Sequence, residues 1–211
     1  MVHSGSCWLG RPRRLDAIAV LCGGIFCLAS LPLRADTLYQ ACFGCHGPNG
    51  ISQAEHVPSI SGLNFQYFYT TMRAFKKGQR NATIMDRIAK GYKTSKLQRM
   101  ALYFGSQPWT GRTGDVDPVL AARGQALHEE YCEKCHEDNG RFQDRETPPL
   151  AGQAKGYLYY QMIDYRDDAS GDSRDSMMQT RLQKLSMDDL LALAEYYASE
   201  LPGAVASRAA E

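Results

Sequence analysis

Apolar residues recur at helical spacing in several separate stretches of this chain, and no stretch alternates with polar residues as a half-buried strand would. In the first half, one predicted helix leads into Cys42, a second follows Asn64 and a third follows Thr94. The last predicted helix of the chain opens with a capping box formed by Ser186 and Asp189. The pattern therefore predicts an all-α fold with three main helices in each half.

The second half of the sequence repeats the chemistry of the first half at a nearly constant offset. The offset is 90 residues at first and becomes 93 after an insertion of three residues that follows Tyr165. The matched pairs include Gly50 with Gly140, Pro58 with Pro148, Gly62 with Gly152, Tyr67 with Tyr157 and, at the larger offset, Leu97 with Leu190. We therefore predict a tandem duplication, with a first domain at 36–107, a linker at 108–117, a second domain at 118–203 and a flexible tail at 204–211.

The start of the chain has the features of an export signal. Arg11, Arg13 and Arg14 precede an apolar run at 17–30, and the small residue Ala35 ends the segment. We predict that residues 1–35 are a signal peptide cleaved near Ala35, which implies a periplasmic protein. A retained membrane anchor is the alternative, but the apolar run is shorter than the roughly 20 residues that span a bilayer.

Composition narrows the class of protein further. The chain has 211 residues, of which 44% are hydrophobic and 22% charged, and its formal net charge is +1. These values are typical of a soluble globular protein and exclude a disordered, collagen-like or multi-span membrane chain. No feature of the sequence points to nucleic acid as a partner.

Removal of the leader leaves four cysteines, and each pair of them forms the same motif. Cys42 and Cys45 are followed directly by His46, and Cys132 and Cys135 by His136. This Cys-x-x-Cys-His sequence is the c-type haem attachment motif. The two thiols can reach the two vinyl groups of a porphyrin, and the histidine then lies under the iron.

Two other interpretations of the cysteine pairs are weaker. A zinc ribbon places its two pairs roughly 15 to 20 residues apart, whereas these pairs are 90 residues apart. No strand-helix-strand pattern supports a thioredoxin-like redox pair. We therefore predict two covalently bound haem c groups, with His46 and His136 as axial ligands of the iron atoms.

A methionine is the expected ligand on the other side of each iron, since it closes the site and raises the reduction potential. In the first half, Met72 and Met100 lie on apolar helix stripes, whereas Met85 lies in a less regular stretch between helices that could fold over the ring. The offset of 93 residues carries Met85 onto Met178, and its neighbour Met177 remains open as an alternative. The spare histidines, His56 and His128, are competing ligands, but neither is repeated in the other half.

With these residues in place, the chain resembles the tandem dihaem class I cytochromes c, which implies two domains each wrapped around a covalently attached haem. The stretches that begin at Pro58 and Pro148 match the element that follows the haem motif in that family. The resemblance implies that the carbonyl groups of Pro58 and Pro148 accept hydrogen bonds from His46 and His136 and so orient them.

Two shorter stretches, 83–92 and 131–136, are most similar to the cytochrome subunit of flavocytochrome c sulfide dehydrogenase. That resemblance implies a haem subunit that accepts single electrons from an FAD-containing sulfide dehydrogenase subunit and passes them to a soluble cytochrome or an oxidase. The chain has no Gly-rich dinucleotide motif, so any flavin must belong to the partner. By this interpretation the chain is not catalytic by itself.

Other functions remain open at this stage. One is a free-standing dihaem electron carrier between a quinol-oxidising complex and a terminal oxidase. An enzyme such as a dihaem peroxidase or a thiosulfate-oxidising cytochrome is less favoured, because two His/Met haems leave no free position for a substrate.

The charge of the chain is distributed unevenly between its halves. Residues 36–107 contain nine Lys and Arg against three Asp and Glu, whereas residues 118–211 contain ten against 17. The net charges are thus +6 and −7 before haem carboxylates are counted. Such asymmetry can orient charged partners during encounter, and we expect the two halves to face different partners.

Overall fold

The computed structural model of the protein describes residues 37–112, 114–167 and 173–202. The predicted signal peptide with its cleavage site near Ala35, and the predicted tail at 204–211, lie outside the described residues. Within the described ranges the regular elements are helical, which confirms the predicted all-α fold. None of these helices is long and apolar enough to cross a membrane.

The first half contains four α-helices and one short 3₁₀ turn among its described residues. The helices are α1 (Gln40–His46), α2 (Phe65–Lys77), α3 (Met85–Lys90) and α4 (Thr94–Gly105), and the 3₁₀ turn at Pro48–Gly50 follows α1. Asn64 caps α2, because its side chain accepts hydrogen bonds from the backbone N–H groups of Gln66 and Tyr67. The predicted starts of α2 and α4 are both confirmed.

The second half repeats this order of elements, and its first and last helices are longer than those of the first half. It comprises α5 (Pro118–Tyr131), the single turn α6 (Glu137–Gly140), α7 (Lys155–Asp167), α8 (Ser173–Leu182) and α9 (Met187–Ser199). The predicted capping box is present at the start of α9: the Ser186 hydroxyl accepts from the backbone N–H of Asp189, and the Asp189 carboxylate accepts from the backbone N–H of Ser186.

The prediction that Met85 lies in an irregular stretch is wrong, because Met85 is the first residue of α3. This helix is only six residues long, and its charges complement the helix dipole, with Asp86 in the first turn and Lys90 in the last. The Nζ of Lys76, from α2, donates hydrogen bonds to the carbonyl groups of Lys90 (3.3 Å) and Tyr92 (2.5 Å) and so satisfies the carboxyl end of α3. Tertiary contacts, and not a long apolar stripe, stabilise this helix.

Each half has its own apolar cluster. The first includes Phe68, Leu97, Met100 and Phe104, and the second includes Met162, Leu190, Leu193 and Tyr197, which are all buried. Two clusters of matched composition, one on each copy of the repeat, are what a duplicated domain produces.

Side-chain amides of the second half bind the backbone of the first half. Gln153 accepts a hydrogen bond from the backbone N–H of Ser59 (2.8 Å) and donates one to the carbonyl of Ser59 (3.0 Å). Gln143 in the same way accepts from the N–H of Asn64 (2.8 Å) and donates to the carbonyl of Gly62 (2.9 Å). Trp109 adds a buried bond from its indole N–H to the Ala151 carbonyl (2.9 Å). These bonds fix one half against the other.

Candidate haem sites

The four cysteines of the two motifs are free thiols in the structure. Cys42 and Cys132 are half-buried, whereas Cys45 and Cys135 are exposed at the surface. Burial raises the pKa of both the Cys42 and the Cys132 thiol, so each stays protonated at neutral pH. Among the described residues no three His, Cys, Asp or Glu side chains gather as they would around a zinc ion.

His46 is the last residue of α1, and it is buried. Its Nδ1 donates a hydrogen bond to the carbonyl of Pro58 at 2.8 Å. Burial lowers the pKa of His46, and the bond to Pro58 only partly opposes that effect. The ring is therefore a neutral imidazole held through Nδ1, which leaves Nε2 as the nitrogen available to iron.

His136 is also buried, and burial lowers its pKa to about 4, with His128 contributing in the same direction. The Pro148 carbonyl is close enough to oppose this shift, but Nδ1 of His136 forms no hydrogen bond of ordinary geometry and is a buried polar atom without a partner. Pro148 thus faces the His136 ring in the second half, as Pro58 faces His46 in the first, although at a less favourable hydrogen-bond geometry. A buried, neutral imidazole directly after two free thiols nevertheless fits covalent haem in this half as it does in the first.

A glycine four residues after the histidine of each motif joins the site to the loop that contains Pro58 or Pro148. The carbonyl of Gly50 accepts hydrogen bonds from the N–H groups of Ile60 (2.7 Å) and Ser61 (3.1 Å), and Gly140 makes the equivalent bonds in the second half. Gly50 has φ 84°, and a Cβ there would lie 2.9 Å from the Phe104 ring, so neither the backbone nor the packing admits a side chain. Both sites are thus built on the same scaffold.

The methionines separate into core residues and candidates for iron ligation. Met72, Met100 and Met162 are buried within the two apolar clusters. Met85 packs against the first cluster, which Cys42 also contacts, and Met178 packs against the second cluster, which Cys132 also contacts. Met177, by contrast, is 67% exposed.

One feature of the second site was missed by reasoning from the sequence. His128 is fully buried; its Nδ1 lies 2.9 Å from the Tyr197 hydroxyl, and its Nε2 is hydrogen-bonded to the Glu133 carboxylate. Burial, and then the neighbouring Cys132 thiol, raise the pKa of the Tyr197 hydroxyl. In the repeat, His128 pairs with Leu38 and Tyr197 pairs with Phe104. Because both positions change from an apolar to a polar residue in the second half, the sequence did contain a signal for this network.

Comparison with known proteins gives several relatives of this chain. The family model described as cytochrome c oxidase, cbb3-type, subunit III matches residues 119–196. Cytochrome c4 of Azotobacter vinelandii is 30% identical over 174 residues, which cover 74% of this chain and 82% of that protein. The thiosulfate dehydrogenase electron acceptor of Thiomonas intermedia is 26% identical over 199 residues, covering 89% of this chain and 91% of the relative.

A shorter match is higher in identity. The cytochrome subunit of sulfide dehydrogenase of Chlorobaculum tepidum is 41% identical over 73 residues, but these are 35% of this chain and 66% of that subunit. The similarity to this subunit, which the sequence predicts, is therefore confined to one part of the chain.

Solved structures agree with the longer matches. Reduced cytochrome c4 from Pseudomonas stutzeri superposes with a TM-score of 0.67 at 29% identity, over 76% of this chain and 93% of that one. A thiosulfate dehydrogenase from Marichromatium purpuratum also gives a TM-score of 0.67, at 27% identity, over 79% of this chain and 39% of that one. The arrangement of two class I cytochrome c domains is the one that these likenesses support.

Proposed function

Because the chain belongs to the cytochrome c4 family of dihaem cytochromes c, we propose that it carries single electrons from a dehydrogenase of reduced inorganic sulfur to a terminal acceptor. The chain is a dihaem cytochrome c electron carrier with two covalently bound haem c groups. We further propose its iron ligands, its partners and its location.

The iron ligands we propose are His46 with Met85 in the first half and His136 with Met178 in the second. The observation that carries this proposal is that each methionine and the half-buried cysteine of the same half pack against one common apolar cluster. Haem c held in this way supplies a reversible one-electron couple whose potential a methionine ligand raises.

Residues of the chain itself give both proposed haem sites a buried, apolar environment. Burial holds His46 and His136 in the neutral form that ligates a metal. Phe68 and Phe104, both buried, stack with their ring centroids 5.5 Å apart and make the first core apolar. A site closed on both sides exchanges electrons through its edge and leaves no position at which a substrate could bind, so we propose that the chain is not catalytic by itself.

The partners are proposed from the relatives. One relative is named as an electron acceptor of thiosulfate dehydrogenase and matches nearly the whole chain, which supports a free-standing carrier reduced by a sulfur-oxidising enzyme. The second candidate is the haem subunit of a sulfide dehydrogenase with an FAD-containing partner, which the 41% identity over 73 residues favours. In both cases a soluble cytochrome or an oxidase would remove the electrons. We propose a periplasmic location after cleavage near Ala35, and domains at 36–107 and 118–203.

Purification from the native cell under mild conditions separates the two candidates. A free-standing carrier elutes at the mass of one chain or its homo-oligomer, contains no flavin, and is reduced by thiosulfate only when a thiosulfate dehydrogenase is added. Co-elution with a larger flavin-containing chain, together with haem reduction by sulfide, supports the second candidate. Reduction by quinol-oxidising membranes alone, with neither sulfur compound effective in any fraction, contradicts the proposed donor class.

A further inference from the structure

One peptide group of the first half, which joins Pro58 to Ser59, is hydrogen-bonded on both of its sides. Its carbonyl oxygen accepts the bond from Nδ1 of His46 at 2.8 Å, and its N–H donates to Oε1 of Gln153 at 2.8 Å. Gln153 belongs to the second half of the chain. A single peptide group therefore connects the proposed iron ligand of the first half to a side chain of the other half.

Further hydrogen bonds fix the position of this peptide group. Nε2 of Gln153 donates to the Ser59 carbonyl at 3.0 Å, and its Oε1 also accepts from the N–H of Ala154 at 2.9 Å. The Ser59 hydroxyl accepts from the N–H of Ser52 at 3.1 Å. Ser59 is 1% exposed and Gln153 is 4% exposed. These bonds are thus formed away from water, where a hydrogen bond is electrostatically stronger.

Hydrogen bonds that share one peptide group polarise one another. An amide whose N–H donates to a good acceptor has a more negative carbonyl oxygen, so it is itself a better acceptor. The bond from Ser59 to Gln153 therefore strengthens the bond from His46 to the Pro58 carbonyl. A histidine that donates its other ring N–H to a stronger acceptor is a more basic metal ligand. A more basic ligand stabilises ferric iron relative to ferrous iron.

The second half has a different sequence at the corresponding positions. The repeat pairs Ser59 with Pro149, and it pairs Gln153 with Leu63. Pro149 is fully buried, and a proline has no backbone N–H to donate. Leu63, for its part, has no side-chain amide that could accept such a bond. The same chain of hydrogen bonds therefore cannot form at the second site.

We propose that Gln153 is a positioning residue for the first haem, and that it acts through the peptide group between Pro58 and Ser59. It strengthens the hydrogen bond of His46 and thereby lowers the reduction potential of that haem. This inference rests on the proposed ligation of iron by His46. It goes further in that the potential of the first haem depends on a residue outside its own domain.

The test measures the potential of each haem in the full-length holoprotein, by a redox titration followed through the NMR signals of the two haems. Gln153→Met removes the amide at similar side-chain length, and it should raise the first potential while the second changes little. Gln153→Glu keeps an oxygen opposite the Ser59 N–H and should hold the first potential at or below the parent value. In reduced Gln153→Met, the ring N–H signal of His46 should also move upfield, because its hydrogen bond is weaker.

The matched control is Gln143→Met, because Gln143 crosses the same contact in the same way. Its side chain accepts from the N–H of Asn64 and donates to the carbonyl of Gly62, and neither group belongs to the peptide that His46 binds. The control should leave the first potential and the His46 ring signal at the parent values. Equal rises in both variants would show that a loosened contact between the halves is the cause, and would overturn the proposal. An unchanged first potential in Gln153→Met would overturn it as well.

A measurement on the parent protein applies if Gln153→Met does not accumulate. In the reduced state the ring N–H of His46 should resonate further downfield than that of His136, and equal or reversed positions contradict the proposal. The same NMR spectra report whether a histidine and a methionine bind each iron. With that ligation intact, a negative result removes only the role of Gln153, whereas a first iron without His46 would contradict the proposed function as well.

Discussion

At the scale of single residues, two adjacent methionines of the second half have opposite surroundings. Met177 is 67% exposed, whereas Met178 packs on the cluster that Cys132 also contacts. The repeat selects the same residue, because only an offset of 93 keeps the downstream apolar positions in register. The register of the repeat and the packing of the side chain thus favour the same candidate ligand, Met178.

We predict that Met178→Ala removes one of the two methionine–iron signatures of the ferric protein, so that the weak far-red absorption band falls to about half. The haem that has lost its sulfur ligand should also have a lower reduction potential, since methionine ligation raises it. Met177→Ala should keep the full band and both potentials. The reverse pattern, with the band halved only in Met177→Ala, would show that the neighbour is the ligand.

Other residues could not be predicted in this way. The position of Arg80 depends on its bonds to Tyr157 and Gln161 of α7, and the geometry at Nδ1 of His136 depends on how the Pro148 loop lies. Both are consequences of tertiary geometry, which no local pattern encodes. The Cys-x-x-Cys-His motifs were readable because covalent haem attachment requires that spacing along the chain itself.

At the scale of elements, the helices with a polar cap and an apolar stripe were predictable and the short ones were not. Asn64 and Ser186 mark the starts of α2 and α9 by side-chain hydrogen bonds to nearby N–H groups. Helix α3 is six residues long, and α8 is mostly polar, so neither shows an apolar period long enough to recognise. These are the two helices that carry Met85 and Met178, and contacts with the rest of the fold define them.

The capping box of α9 predicts an acid-sensitive contribution to stability. Hydrogen bonds from Ser186, and then Arg123, lower the pKa of the Asp189 carboxyl. A lowered folded-state pKa means that this stabilisation is present above the unfolded value of about 4 and is lost as the pH falls through the lower folded value. Asp189→Asn should therefore cost about 1 kcal/mol at neutral pH and less in acid.

The measurement is urea unfolding of Asp189→Asn at neutral and acidic pH. Asp188→Asn is the control, since Asp188 is exposed in the same first turn and lies outside the capping box. A loss for Asp189→Asn that is equal at both pH values would mean that the carboxylate charge has no part in the cap.

The crossing of α5 and α9 depends on one glycine. A Cβ on Gly124 would lie 2.1 Å from the Ala192 carbonyl oxygen, which is backbone and cannot turn aside. Gly124→Ala should therefore destabilise the protein by about 1–3 kcal/mol through overpacking. At the control position, Gly114 between the two halves, an added Cβ meets only the Arg112 side chain, at the ordinary contact distance of 3.7 Å, so Gly114→Ala should be neutral or slightly stabilising. Thermal unfolding compares the two variants, and equal melting temperatures would show that the crossing can relax.

At the scale of the whole molecule, a net charge near zero conceals a basic first half and an acidic second half. Several lysines of the first half are exposed, among them Lys77, Lys93 and Lys96. Lys76 differs from them, because its Nζ donates a hydrogen bond at the carboxyl end of α3 and thereby stabilises that helix. A test of docking should therefore leave Lys76 in place.

We predict that changing Lys77, Lys93 and Lys96 together to Gln slows electron exchange with a negatively charged partner by about tenfold at low salt, because electrostatic steering has this order of magnitude. The rate should also lose most of its salt dependence. The control changes Lys134 and Lys184, which are exposed on the acidic half, and should leave that rate nearly unchanged. Stopped-flow kinetics at several ionic strengths provides the measurement, and equal rates for both variants would contradict separate docking faces.

The central claim is that the protein itself holds each iron from both sides, so that both haems relay electrons and neither binds a substrate. Carbon monoxide added to the fully reduced protein tests this claim most directly, because it binds ferrous haem wherever a coordination position is open or weakly held. We predict that the visible spectrum of the reduced protein does not change, for either haem, at neutral pH. A carbon monoxide adduct at even one of the two haems in the native protein would contradict the account.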